Sequence, residues 1–148
     1  MNTRRTFSTT LAACAIALAL AACSYAPTSN TVSFKATLNG ASEVPPVATA
    51  ANGVVEAKLN KDTNLLTWSM SYSGLSGPAT AGHFHGPASE TQNAGIALGF
   101  NNPVTSPFAG QATLTPAQAA DLLAGKWYVN IHTAANKPGE IRGQVKAQ

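Results

Sequence analysis

The sequence predicts an all-β fold, an antiparallel Greek-key sandwich or barrel with one short helix before the last hairpin. Three observations support this prediction. Apolar and polar residues alternate in short segments, as they do in strands that bury one face. Clusters of Gly, Pro, Asn and Asp separate these segments, which is typical of turns between antiparallel strands. Start and stop signals of a helix occur together in one segment, around Thr115.

The first three strands are predicted to follow one another closely. Apolar side chains alternate with Ser, Lys and Thr from Val32 to Leu38, and Asn39-Gly40 follows as a turn. Residues 43–47, Glu-Val-Pro-Pro-Val, read as an extended loop that proline stiffens. A second strand is predicted from Gly53 to Leu59, and residues 61–64 turn the chain into a third, from Leu66 to Tyr72.

The second half of the chain contains the predicted helix and five further strands. Thr115 is a helix N-cap, Pro116 occupies the first helical position, Gln118 completes a capping box and Gly125 ends the helix. The predicted strands are 79–85, 95–100 and 109–114 before the helix, then 127–133 and 140–146, which form the last hairpin.

The N-terminal residues 1–22 read as an export signal. Arg4 and Arg5 precede an apolar run from Leu11 to Ala22, which is shorter than the roughly 20 residues that span a bilayer. The run closes on Leu-Ala-Ala-Cys, which resembles a bacterial lipoprotein signal that attaches lipid to the Cys23 thiol and leaves Cys23 as the new N-terminus. Residues 23–31 would then be a lipidated tether, and residues 32–148 the folded domain.

This signal predicts a cell-envelope protein whose partner is a membrane. Lipid chains contribute about 0.8 kcal/mol per buried methylene, so two or three chains at Cys23 would anchor the domain permanently. Ser24 differs from the aspartate of an inner-membrane retention signal, which favours an outer-membrane anchor that faces the periplasm. Arg4-Arg5 also resembles a twin-arginine motif, so the export route stays open between the general and the twin-arginine pathways.

Composition excludes several functional classes. Two of the nine basic residues lie in the predicted signal and six residues are acidic, so no basic stripe remains to bind nucleic acid. The two cysteines, Cys14 and Cys23, fall in the signal and at the lipidation site, which leaves no thiol for a disulfide or an iron–sulfur cluster. Nothing resembles a nucleophile elbow or a phosphate-binding glycine loop. Any metal site in the domain must therefore use histidine and oxygen.

The three histidines of the chain are confined to two predicted strands. His83 and His85 are two residues apart, so their side chains lie on one strand face with Cα atoms roughly 6.6 Å apart, and Phe84 points into the core. His132 shares a face with Tyr128 and Asn130. If the two strands approach, three imidazoles can bind one copper or zinc ion. Alternatively, His83 and His85 bond to loop backbone, and His132 pairs with Glu140.

Two charged residues in the last strand also qualify as functional. Glu140 and Arg142 are predicted to share one strand face, and the Arg142 guanidinium could attract an anion or hold a carboxylate. The simpler interpretation is a structural ion pair that closes the hairpin. Glu43 could add a carboxylate to the same region, although a role in fixing its loop is the favoured interpretation.

These motifs closely resemble the CHRD domain, a module named after chordin that also occurs in secreted or anchored bacterial proteins. The resemblance covers about residues 32–145, so residues 32–148 are assigned to it. The matching segments are Phe34 to Val47, Trp68 to Leu75, His83 to Gly86, Leu114 to Gly125, and Tyr128 to Thr133 together with Gly139 to Gln144.

A weaker resemblance is to copper-zinc superoxide dismutases, which are Greek-key barrels. It implies that His83, His85 and His132 bind copper and that Arg142 guides the anion. The chain departs from that family because it has no bridging fourth histidine, no apparent zinc-loop aspartate and no disulfide.

Three functional hypotheses follow. The leading one is an envelope-anchored domain that binds one copper-like ion, with zinc as the less favoured metal, through His83, His85 and His132. It would handle metal without catalytic turnover. The second is a metal-free adhesion or scaffold module whose protein partner the sequence does not identify. The third is a copper-only enzyme that resembles superoxide dismutase, in which Arg142 steers superoxide.

Overall fold

The computed structural model describes residues 30–148. The predicted signal, the lipidation site Cys23 and residues 24–29 of the predicted tether therefore lie outside the described residues. Within residues 30–148, none of the helical segments combines the length and the apolar character that a membrane span requires.

Nine strands and one α-helix make up the regular structure of residues 30–148, with one short 3-10 turn at Gly40–Ser42. They are β1 (Thr31–Asn39), β2 (Asn52–Asn60), β3 (Leu65–Ser73), β4 (Ala79–His85), β5 (Ile96–Gly99), β6 (Phe108–Thr113), α1 (Pro116–Leu123), β7 (Tyr128–Thr133), β8 (Ile141–Gln144) and β9 (Lys146–Ala147). The predicted all-β fold with one helix before the last hairpin is confirmed.

All strand pairings are antiparallel, and the main sheet has the order β5-β4-β7-β8-β1-β2-β3-β6. β1, β2 and β3 form a meander, whereas β4 pairs with β7 and β3 pairs with β6 through longer connections of the Greek-key kind. The sheet curls upon itself. Trp68 of β3 meets Phe84 of β4 with ring centroids 5.5 Å apart, although the two strands are not neighbours in the sheet.

The core lies inside this curl and follows the predicted period of two. On β1 the side chains of Phe34, Ala36 and Leu38 are buried while the intervening positions are exposed. Phe84 is fully buried and packs edge-on against both Trp68 and Phe100. Each buried aromatic side chain removes a large apolar area from water, and edge-on packing of the rings adds to that stabilisation.

Helix α1 begins and ends where its capping residues predict. The Thr115 side chain accepts a hydrogen bond from the Gln118 N–H, and the Gln118 side chain accepts one from the Thr115 N–H. Gly125 has a φ of +70°, the left-handed conformation that glycine adopts readily beyond a helix C-terminus. Leu122 anchors the helix in the core.

The last predicted strand, 140–146, is interrupted in the structure. β8 ends at Gln144, after which the Val145 N–H donates to the Trp127 carbonyl and the Val145 side chain is fully buried. Lys146 and Ala147 then pair with β1 as β9. Val145 keeps the alternation, since Ile141 and Gly143 are buried on the same face, and the break reflects a change of partner from β7 to β1 that alternation alone does not predict.

Candidate metal centre

The candidate site lies where β4 and β7 run side by side. The register places His83 opposite Asn130, and Ala81 opposite His132. Since strand residues alternate between faces, Phe84 lies in the core and His83 and His85 lie on the other face of β4. Val129 and Ile131 on β7 are fully buried in the core, so Asn130 and His132 share the face of the histidine pair.

The three predicted ligands come together on this face. His83 Nδ1 lies 3.0 Å from His132 Nε2. One ligand nitrogen from each of His83, His85 and His132 lies within 4.8 Å of the other two. Two ligands on opposite sides of an ion that binds at 2.0–2.1 Å are about 4.1 Å apart, so small side-chain rotations would bring all three onto one ion. The predicted convergence of the imidazoles is therefore present.

Backbone carbonyls select which nitrogen of two histidines is free to bind a metal. His85 Nδ1 lies 3.0 Å from the Ala94 carbonyl oxygen, and His132 Nδ1 lies 2.7 Å from the Lys137 carbonyl oxygen. Because a carbonyl only accepts, both Nδ1 atoms donate, and the lone pair of each neutral ring is on Nε2. Metal-binding histidines in proteins are oriented in the same way.

Burial keeps the histidine pair on β4 neutral. The pKa of His83 is lowered to about 4, chiefly by desolvation and then by the neighbouring His132 and His85. Desolvation also lowers the pKa of His85, against the opposing effect of its hydrogen bond to Ala94. Neutral imidazole is the metal-binding form, so these two rings are available as ligands at neutral pH.

An outer layer of side chains and loops covers the face beyond the histidines. The Tyr128 ring stacks on His85 with centroids 4.8 Å apart and planes 5° from parallel, and the Arg142 guanidinium carbon lies 3.5 Å from the Tyr128 ring centroid. Arg142 donates to the Ser89 and Gln92 carbonyls and to Asn93 Oδ1. Arg142 thereby fixes the loop that carries Ala94, the residue whose carbonyl orients His85.

Glu140 is fully buried in a cage of hydroxyl groups and one backbone amide. Oε1 accepts from Thr49 Oγ1 at 2.9 Å and from the Ser76 N–H at 2.8 Å, and Oε2 accepts from Ser76 Oγ at 2.6 Å and Thr133 Oγ1 at 2.7 Å. Burial by itself raises the pKa of Glu140, but these hydrogen bonds together lower it to about 2.

The predicted ion pair between Glu140 and Arg142 is therefore wrong. Each side chain is buried with its own partners, Glu140 with hydroxyls and Arg142 with loop carbonyls. The alternative pairing of His132 with Glu140 is wrong as well, because His132 bonds to His83 and Lys137. With only 1% of its surface exposed, Arg142 does not present its guanidinium to an incoming anion.

Glu43 is a further buried carboxylate next to this site. It is 6% exposed, and burial raises its pKa to about 7 against the attraction of Arg142. Oε1 has no hydrogen-bond partner, although the nearby Asn130 amide contributes to lowering the pKa of Glu43. Gly139, with a φ of +144°, lies against both groups, and a Cβ there would collide with Glu43 Oε1 and Asn130 Nδ2.

Two residues of the site were not assigned a role from the sequence. Asn130 and Tyr128 were placed on the histidine face but not connected with the site, yet Asn130 Oδ1 lies 3.0 Å from His85 Nε2 and Tyr128 stacks on the same ring. The signal that could have identified them is the alternation of Tyr128, Asn130 and His132 on β7. Both are almost fully buried, so the face is a polar interior rather than a solvated surface.

Replacing Arg142 by Lys should loosen the loop at 89–94. An ammonium on a flexible stem cannot reach three acceptors and stack on Tyr128 together, so we expect a loss of about 2 kcal/mol in the free energy of unfolding. Denaturant unfolding, with amide hydrogen exchange of residues 88–95, measures the effect. Lys146→Ala, which removes an exposed ion pair with Glu90 of the same loop, is the control and should change exchange there much less, because an exposed pair contributes little. Equal behaviour of the two variants would contradict this role of Arg142.

Comparison with known proteins identifies a domain family. The family model described as the CHRD domain matches residues 34–145, which is most of the chain. No curated protein and no solved structure matches the chain. The matched segment contains β4, β7 and all three histidines of the candidate centre.

Proposed function

This chain belongs to the CHRD-domain family, and we propose that its domain binds one copper-like ion through His83, His85 and His132 for metal handling at the cell envelope. The observation that carries the proposal is the meeting of three imidazoles from two strands, two of them with Nε2 left free by carbonyls on Nδ1. Three nitrogen ligands suit copper or zinc. The predicted lipoprotein signal, residues 1–22 before Cys23, supports placing the domain on an outer membrane, on the side that faces the periplasm.

Metal handling is favoured over enzymatic turnover by the surroundings of the ligands. A dismutase-like reaction would use an accessible cation near the metal to attract superoxide, and Arg142 is committed to three loop acceptors and to Tyr128. His83 and His132 are partly exposed, so an ion held there would be reachable from solvent for delivery or removal.

Titration of the full chain, purified in detergent, with Cu(II) and Zn(II) tests this function. We expect one ion per chain, bound more tightly for Cu(II), and loss of that binding in the His83→Ala/His85→Ala double variant. Cys14 and Cys23 are common to both proteins, so any thiol contribution cancels in the comparison. Equal weak binding by the two proteins would exclude the metal function and favour the metal-free scaffold. Metal analysis of protein isolated from its native envelope then tests whether the site is filled in cells.

A further inference from the structure

The side-chain oxygen of Asn130 faces a ring nitrogen of His85 that acts as an acceptor, although an amide oxygen needs a hydrogen-bond donor. Its Oδ1 lies 3.0 Å from His85 Nε2, and Nδ2 donates to the Pro138 carbonyl at 3.1 Å. The metal-binding form of imidazole is neutral, and with Nδ1 of His85 donating to the Ala94 carbonyl the lone pair of that form is on Nε2. A carbonyl oxygen and a ring nitrogen thus direct lone pairs at each other in a position that is almost fully buried. This arrangement favours a shared cation.

Rotating the amide by 180° does not remove the conflict. Nδ2 would then donate to His85 Nε2, but Oδ1 would face the Pro138 carbonyl, which only accepts. In the observed orientation Nδ2 donates to the Pro138 carbonyl and lies beside Glu43 at Gly139. Only Oδ1 is left, and it faces the candidate centre.

The types of donor atom and their spacing indicate which ions these groups can bind. Two atoms bound at 2.0–2.1 Å are about 2.9 Å apart at a right angle and about 3.3 Å apart at a tetrahedral angle. His83 Nδ1 and His132 Nε2 are 3.0 Å apart, and so are His85 Nε2 and Asn130 Oδ1. Both spacings are compatible with two donors of one ion, and the four groups together offer three nitrogens and one oxygen. Tetragonal sites of nitrogen and oxygen donors are characteristic of Cu(II), whereas structural Zn(II) is tetrahedral.

We infer that Asn130 Oδ1 is a fourth donor, which completes a tetragonal three-nitrogen, one-oxygen site for Cu(II), and that Glu43 is the positioning residue that holds the Asn130 amide in place. This inference rests on the proposed metal function. It gives the Glu-Val-Pro-Pro-Val loop a role, since that loop brings Glu43 under the hairpin at Gly139, against Asn130. Outer-shell groups of this kind change metal affinity by about 10- to 100-fold when removed.

The β7–β8 connection holds both β7 donors in the same manner. Lys137 and Pro138 are consecutive, and their carbonyls accept from His132 Nδ1 and Asn130 Nδ2 respectively. The two side chains thus point the remaining atom of each polar group, Nε2 or Oδ1, away from the hairpin loop and towards the β4 histidines. One short loop therefore orients half of the inferred donor set.

The test compares Cu(II) binding and Cu(II) electron paramagnetic resonance of the full chain in detergent for the unaltered protein, Asn130→Ala and Asn136→Ala. Asn136 lies in the same hairpin, contacts Ser76 and faces none of the histidines, so it is the matched control. We expect Asn130→Ala to weaken Cu(II) binding about 10- to 100-fold, with a changed resonance spectrum and a smaller effect on Zn(II). Asn136→Ala should behave as the unaltered protein.

A second variant covers the case in which Asn130→Ala does not fold. Glu43→Gln keeps the size of the side chain, and we expect it to weaken Cu(II) binding about 10-fold while the resonance spectrum still reports the unaltered donor set. Unchanged Cu(II) affinity and spectrum in Asn130→Ala, or in Glu43→Gln if only that variant folds, would overturn the inference while leaving the three-histidine site intact. Failure of the unaltered protein to bind Cu(II) would remove the proposed function, and the inference with it.

Discussion

Replacing Glu140 by Ala is expected to lower the free energy of unfolding by about 4 kcal/mol. The carboxylate is fully buried and accepts hydrogen bonds from Thr49, Ser76 and Thr133, of which Ser76 contributes both its N–H and its hydroxyl. Hydrogen bonds to a charged group contribute about 1.5–3 kcal/mol each, and donors that lose their partner in a buried site keep their desolvation penalty. Such bonds are not additive, so the sum is larger than the expected loss.

Chemical denaturation at pH 7 measures this change, and Glu56→Ala is the matched control. Glu56 is an exposed carboxylate on β2 whose only recorded ion pair in the described residues is a 3.9 Å contact with Lys35, so its removal should change stability by less than about 0.5 kcal/mol. A Glu140→Ala protein within about 1 kcal/mol of the unaltered one would contradict the structural role assigned to the cage.

The same residue predicts a specific acid sensitivity. Because the pKa of Glu140 falls from 4.5 to about 2 on folding, the unfolded chain binds a proton more tightly than the native protein does. The stabilisation is complete above pH 4.5 and is lost as the pH falls towards 2, at most about 3 kcal/mol from a shift of this size. Glu140→Gln carries no titrating group there, so its stability should fall less between pH 4.5 and 2.

The regular structure could be predicted because its signals are local. Alternation on β1, β3 and β4 specifies which side chains enter the core, and the capping box at Thr115 fixes the start of α1. The same alternation put His83 and His85 on one face, opposite Phe84. The meeting of His132 with this pair required only that β4 and β7 be neighbours, which they are.

The polar partners could not be predicted because they depend on loops distant in sequence. Glu140 and Arg142 are two residues apart and oppositely charged, which suggested an ion pair. However, Ser76, 64 positions away, donates to Glu140, and the carbonyls of a loop about 50 positions away accept hydrogen bonds from the Arg142 guanidinium. Asn130 meets His85 across 45 positions. No periodic pattern reports how loops fold over a sheet face, so these contacts emerge only when the chain is folded.

The His132→Ala variant is expected to distinguish between two hypotheses, that the domain binds metal and that it is a metal-free scaffold. In the unaltered protein, Cu(II) at 100 times its dissociation constant should add about 2.7 kcal/mol to stability, or a rise of roughly 10 °C in unfolding temperature. Because His132→Ala removes one of the three imidazoles, we expect this variant to lose the Cu(II)-dependent rise in unfolding temperature. With chelator present, the variant loses only hydrogen bonds to His83 and the Lys137 carbonyl, at a cost of about 1 kcal/mol.

Thermal unfolding with Cu(II), and separately with chelator, distinguishes the two functions. Lys137→Ala is the matched control, because it keeps the backbone carbonyl that orients His132 and should retain the full metal-dependent rise. In a metal-free scaffold the His132 imidazole would only make hydrogen bonds, so His132→Ala would lower the unfolding temperature by the same amount with Cu(II) and with chelator. A metal-dependent rise in the unaltered protein and in Lys137→Ala, but not in His132→Ala, would show that copper binding requires the His132 imidazole, a result that a metal-free scaffold does not produce.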